Sequence, residues 1–186
     1  MSRRITLAAY LSGEETNRPQ ELAYGVLREP PAPSFHHQVI VGRIQHRLDR
    51  HVSRYAAGVV VASPVDVILD REKHLVVQPD VVFVRAERID ICQTRIWGPP
   101  DLVVEVLSLG NARHDRTVKV AWYQKYGVCE CWLVDVIAKT VEVIDLAAPM
   151  RPSRTFRGRQ TLRSAMLPRL RLRPSDVFDE PRNRSR

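Results

Sequence analysis

The chain has 186 residues, 44% hydrophobic and 27% charged, which suits one globular domain with its own core. No apolar run approaches the roughly 18 residues of a membrane-spanning helix. Cys92, Cys129 and Cys131 make neither a disulfide framework nor a good zinc site, so free thiols in a reducing cytoplasm are expected. The net charge of +8 is uneven: residues 150–186 hold 11 arginines against 3 acidic residues, while residues 1–149 hold 18 basic residues against 18 acidic ones. An arginine-rich segment reads either as a nucleic-acid contact, because guanidinium groups match phosphate, or as a solvated tail in an organism that favours arginine codons.

Arg3 and Arg4 precede a short apolar stretch, 5–11, with no cleavage pattern after it, so residues 1–19 read as an N-terminal extension or helix and not a signal peptide. Residues 21–29, with Leu22, Tyr24, Val26 and Leu27 around Gly25, read as a strand or hairpin that Pro30, Pro31 and Pro33 end. Ser34 is placed to cap a helix running to about residue 51, since Val39, Ile40, Ile44 and Leu48 recur at helical spacing. Strands are expected at 58–61 and 65–69, a turn at 70–73, and a strand over 75–84 interrupted by Pro79 and Asp80. Residues 85–98 are polar and mixed, and 101–107 form a near-continuous apolar strand carrying Glu105.

Asn111 is placed to cap a helix to Tyr126, with Gly127 as its stop. Strands at 131–136 and 140–144 follow. The leucines of 161–172 are expected to cover a sheet edge, and 182–186 to be disordered. The fold class is α/β or α+β, with one mixed sheet flanked by helices.

Three charged residues interrupt apolar elements: Asp80, Glu105 and Lys119. Burying a carboxylate is costly unless it is paired or binds a metal, and two on neighbouring strands repel each other. A Mg²⁺ or Mn²⁺ ion between them removes that penalty, activates water and offsets charge on a phosphodiester, and a nearby lysine holds the attacking water or the developing charge. The plainer reading pairs each acid with Lys119 or an arginine. On the helix, Asp115, Lys119 and Tyr123 share a face. Asp115 either orients Lys119 or is a first-turn acid favoured by the helix dipole.

The segments QPDVVFV, PPDLVVEVLS, HDRTVKVAWYQKYGV and ECWLVDV, with flanking ELAYGVLREPPAPSFHHQVIVGRI and LRSAMLPRLRLRPSDVF, resemble the Uma-two family of restriction-endonuclease-type proteins, within the PD-(D/E)XK nuclease superfamily. The resemblance spans about residues 20–178 and implies a metal-dependent, restriction-endonuclease-like domain there, with 179–186 as a basic tail. It maps the metal-binding acids onto Asp80 and Glu105, with Val106 in the metal's ligand set. The superfamily's usual lysine position is Leu107 here, and the resemblance places that lysine at Lys119 on the following helix. Glu21 is the candidate for the early acid, and His37 matches a recurrent histidine with either a site or a structural role. Two loops depart from the family: Tyr24-Gly25 stands for Asp-Gly, and Ser108-Leu109-Gly110-Asn111 for Ser-Pro-Ser.

The implied activity is Mg²⁺- or Mn²⁺-dependent cleavage of DNA by a homodimer. The competing reading is a non-catalytic nucleic-acid-binding module on the same fold, and a structural or toxin-like protein ranks last. Walker, GxGxxG, HExxH and GxSxG motifs are absent, which disfavours nucleotide hydrolysis, nicotinamide chemistry, zinc proteolysis and serine esterase chemistry.

Overall fold

The computed structural model describes residues 4–13, 18–108, 110 and 112–179. The expected cap Asn111 and the expected disorder of 182–186 lie outside these residues. A short helix α1 (Leu7–Leu11), with Thr6 as its cap, precedes the hairpin β1 (Glu21–Ala23) and β2 (Val26–Arg28). Tyr24 and Gly25 join these strands with φ of 53° and 83°, the two positive angles a primed two-residue turn requires. Helix α2 (Phe35–Tyr55) starts on Ser34, whose hydroxyl accepts from the His37 N–H, and ends at Ala56 in the left-handed region. Its inward stripe is Ile40, Val41, Ile44, Leu48 and Val52, each worth about 1.5–3 kcal/mol on burial.

The strands β3 (Gly58–Ala62), β4 (Val67–Asp70), β5 (Leu75–Val77) and β6 (Val81–Arg85) follow. After a 3-10 turn at Ala86–Ile91 come β7 (Ile96–Trp97) and β8 (Leu102–Leu107), the latter buried throughout. The next helix has three parts: α3 (Ala112–His114), a π-helical turn (Asp115–Lys119) and α4 (Val120–Tyr126), which Gly127 stops at φ 91°. β9 (Glu130–Asp135), β10 (Thr140–Asp145), β11 (Arg154–Arg157) and α5 (Pro174–Phe178) complete the chain.

The mixed α/β class holds, but the strands form two mixed sheets where one was expected. One has the order β2-β1-β5-β4-β7 and the other β11-β10-β9-β8-β6-β3. The reason lies at Pro79-Asp80. The predicted strand 75–84 leaves the first sheet after Val77 and enters the second at Val81, and the imide nitrogen between them cannot serve a ladder.

Alternation along the strands then separates two cores. Leu102, Val104 and Val106 of β8 face α2, together with Leu162, Leu167, Leu170 and Leu172, so the late leucines belong to a core and do not merely cover an edge. Val103 and Leu107 face the other way, into a core shared by β4, β5 and the α4 residues Trp122 and Tyr123. A third cluster packs Leu7 of α1 on Leu22, Ile68 and Val76. The cysteines are free, with Cys131 buried and Cys92 and Cys129 half-buried. Among the described residues no helix is long and apolar enough to cross a membrane.

Candidate active site

Glu105 lies on β8 between Val103 and Leu107, so it points into the core between the two sheets, where it is 3% exposed. Antiparallel pairing of β6 with β8 sets Val81 opposite Val104 and brings Asp80, at the start of β6, beside Val106, whose N–H donates to Asp80 Oδ2 at 2.7 Å. His37, in the first turn of α2, places Nε2 3.3 Å from the same oxygen. Its Nδ1 is buried and has no hydrogen-bond partner among the described residues.

From the helix side, Lys119 Nζ lies 2.7 Å from Glu105 Oε1 and 2.9 Å from Glu21 Oε1. Glu21 also accepts the Gln78 N–H at 3.2 Å. The Tyr123 hydroxyl donates a short hydrogen bond to Glu105.

The structure therefore brings Glu21, His37, Asp80, Glu105, Val106, Asp115, Lys119 and Tyr123 to one place. One difference from the expected regular helix is the π-helical turn. It carries both Asp115 and Lys119 inward while residues 116–118 stay exposed. Such turns are rare and recur at functional sites. Arg116 pins the outer side of this turn to the sheet, with guanidinium nitrogens 3.0 Å from Asp135 and 3.0 Å from Glu142. Between Asp115 and Lys119 there is no hydrogen bond; the carboxylate acts on the ammonium through charge.

The charge balance is unusual for a buried site. Four carboxylates, Glu21, Asp80, Glu105 and Asp115, converge on one lysine and one histidine. Burial, reinforced by Asp80, Asp115 and Glu21 and opposed by Lys119, pushes Glu105 up to about 8. Burial, with Glu21 and Asp80 and against Lys119, pushes Asp115 to about 6. Burial works against the Lys119 ammonium, but Glu105, Glu21 and Asp115 outweigh it and hold the group charged well above its ordinary range. Burial likewise opposes the His37 cation, and the hydrogen bond and charge of Asp80 overcome it, so that histidine titrates above its usual value.

Sequence reasoning missed three residues here. Gln78 acts through its main chain, which leaves no side-chain signature. Arg28 and His114 meet beside the cluster, with Arg28 Nη1 3.3 Å and 3.1 Å from the two ring nitrogens. Their meeting depends on the pairing of Glu21 with Arg28 across the β1–β2 hairpin.

The Uma2 family, described as "Putative restriction endonuclease", matches residues 7–175. This chain belongs to the Uma2 family. The Uma2 chain also resembles a solved structure of a "putative nuclease belonging to DUF820" from Anabaena variabilis ATCC 29413, with a TM-score of 0.78 and 21% identity over 94% of this chain and 97% of that one. At that identity the likeness speaks for the fold. No curated protein matches.

Restriction-endonuclease-like proteins use divalent metals in general, and the donor set of this Uma2 chain suits one. It is oxygen-rich, as Mg²⁺ and Mn²⁺ prefer. Its carboxylates, Glu21, Asp80, Glu105 and Asp115, outnumber the cations that face them, Lys119 and His37. Among the described residues no three His, Cys, Asp or Glu side chains stand in ion-holding geometry; Lys119 bridges Glu105 and Glu21, and His37 and the Val106 N–H engage Asp80.

Proposed function

We propose that this protein is a Mg²⁺- or Mn²⁺-dependent endonuclease that hydrolyses DNA phosphodiester bonds, with Asp80, Glu105 and the main-chain oxygen of Val106 as the metal's ligands. The observation that carries this reading is the Lys119 ammonium, 2.7 Å from Glu105 and 2.9 Å from Glu21, inside a buried cluster where four carboxylates outnumber the cations. A bound divalent ion supplies an activated water and offsets negative charge at phosphorus.

The protein's own groups then have separable roles. Lys119 stays protonated, so it serves as a fixed cation for the attacking water or a phosphate oxygen and not as the base. Glu21 and Asp115 keep it charged. Tyr123 fixes the Glu105 carboxylate, and His37 fixes Asp80. Water adds to phosphorus and gives up one proton, the bond to the leaving sugar oxygen breaks, and that oxygen takes up a proton, so the products are a phosphate monoester and an alcohol. Two copies of the chain, working in the cytoplasm, would cut the two strands of a duplex.

The exposed arginines between Arg151 and Arg173 would equally serve a second reading, a non-catalytic nucleic-acid-binding module on the same fold. Calorimetric Mn²⁺ titration alongside plasmid cleavage separates the two. Glu105→Ala is expected to lose both metal binding and cleavage. Lys119→Met is expected to keep the metal and lose about 10²–10³ in rate, the scale for removing a fixed cationic or hydrogen-bond donor. Metal-independent DNA binding with no cleavage by the native protein would establish the binding module instead.

A further inference from the structure

Four acidic side chains, Glu21, Asp80, Glu105 and Asp115, face only Lys119 and His37 in the buried cluster, so a phosphodiester approaching it is helped by a further cation beside it. Arg28 stands there. It is the cross-strand partner of Glu21, and paired residues on an antiparallel ladder project from the same face with Cβ atoms about 5 Å apart. Glu21 reaches inward to Lys119, so Arg28 emerges on the same side of the sheet but remains exposed.

Among the described residues, the Arg28 side chain meets His114. One guanidinium nitrogen lies 3.3 Å and 3.1 Å from the two ring nitrogens, which is contact with the ring as a whole and not one directed hydrogen bond. Among the described residues Arg28 pairs with no carboxylate, whereas Arg85, Arg88, Arg95 and Arg116 all do. Burial, then the charge of Arg28, pulls His114 below its usual range, so the ring is not a competing cation. The ring is also fixed in place: it stands edge-on to Trp122 at 5.7 Å, and Trp122 stands edge-on to Tyr24 at 5.8 Å. His114 immediately precedes Asp115, so this platform is continuous with the π-helical turn.

We propose that Arg28, held on the His114–Trp122 platform, is a phosphate-binding residue that takes a backbone phosphate of the nucleic acid as it approaches the buried cluster. A guanidinium presents a fork of donors that matches phosphate oxygens, and this one has no carboxylate to leave before it engages. The inference rests on the nucleic-acid substrate of the proposed function and adds the group that receives it.

The test uses the full chain and a fluorescently labelled DNA duplex. Affinity is read by anisotropy with Ca²⁺ in place of the working metal, single-turnover cleavage is read with Mn²⁺, and Mn²⁺ binding is read by calorimetry. Arg28→Gln is expected to weaken duplex binding about tenfold, the scale of one charge-assisted hydrogen bond. It should also lower the slope of log affinity against log salt by about one, and leave Mn²⁺ binding unchanged. Arg28→Lys should recover part of the affinity.

Unchanged affinity and salt slope in Arg28→Gln would overturn the proposal while leaving the nuclease reading intact. Loss of Mn²⁺ binding together with duplex binding would also overturn it, by making Arg28 a structural residue. If the native protein binds duplex without cutting it, the nuclease reading fails and the Arg28 contact is still decided by affinity. If the native protein binds no duplex, both fail.

Discussion

Asp101 is fully buried at the head of β8, and its carboxylate takes the Arg85 N–H at 2.9 Å, Arg85 Nε at 2.8 Å and Arg88 Nη1 at 3.0 Å. Burial alone would raise its pKa, but the Arg85 amide and the two guanidinium groups outweigh it and hold the carboxyl below the usual range. An acid whose folded pKa is depressed stabilises the protein fully above its unfolded value of about 3.9 and loses that contribution as pH falls through the folded value. Asp101→Asn should therefore cost about 2–3 kcal/mol at pH 7, less than a fully enclosed pair because both arginines reach solvent. Urea unfolding of the two proteins should show this gap at neutral pH and a much smaller one in acid below the folded pKa. A gap independent of pH would refute the role assigned to the charge. The same sequence signal, an acid in or beside an apolar strand, marks Asp101, Glu105 and Glu130. Glu130 proves structural too, accepting from Trp132 Nε1, Ser164 and the Ala165 N–H. Asp80, Glu105 and Lys119 were legible as out-of-place charges. What separates these buried acids is what surrounds each, donors for Asp101 and Glu130 and further acids with Lys119 for Glu105, and that is set by contacts distant in sequence.

At the scale of elements, α2 and the strand that follows it show how much backbone geometry matters. The helix was legible from Ser34 and the apolar spacing, and it runs to Tyr55, beyond the predicted end near 51, because Val52 still faces the core. Only Ala56 and Ala57 separate it from β3, so the chain must reverse at Gly58, which has φ 145°. A Cβ there would sit 2.0 Å from the Val84 carbonyl oxygen, whereas one on Gly42, in the exposed face of α2, meets nothing within 4 Å. Gly42→Ala should raise stability by about 0.5–1 kcal/mol through helix propensity. Gly58→Ala should lower it by more than about 4 kcal/mol, since the obstacle is backbone. Thermal melts of the two variants test this, and similar shifts of the same sign would contradict the geometry. The π-helical turn and the division into two sheets were not legible for a related reason. The widened turn seats Lys119 between Glu105 and Glu21, and the sheet change happens at Pro79-Asp80. A periodicity reading sees only that the strand is interrupted, not that its halves pair with different neighbours.

Across the whole molecule, the excess charge has a definite place. The described arginines of the last segment, from Arg151 to Arg173, are all exposed, and Arg154 and Arg163 flank a shallow groove with Thr155, Gln160 and Thr161 beside β11. β11 lies three strands from β8 in the same sheet, so at about 4.8 Å per strand it stands about 14 Å from Glu105. The sequence alone left the arginines open between phosphate contact and solvated tail, because both need only exposure. Salt dependence distinguishes them. Each phosphate contact contributes about 0.9 to the slope of log affinity against log salt. The triple variant Arg154→Gln, Arg157→Gln, Arg163→Gln should therefore lose about 2–3 in slope if these residues track the backbone. Its fold should be retained, since the side chains are exposed and, among the described residues, the only side-chain hydrogen bond of the three is from Arg154 to the Arg163 carbonyl at 3.0 Å. Mn²⁺ binding should be untouched, because the metal's proposed ligands lie three strands (Glu105, Val106) and four strands (Asp80) away. An unchanged slope would assign the arginines to solvated charge and leave recognition of the duplex to the surface beside the buried cluster, where Arg28 alone would be expected to carry a measurable share.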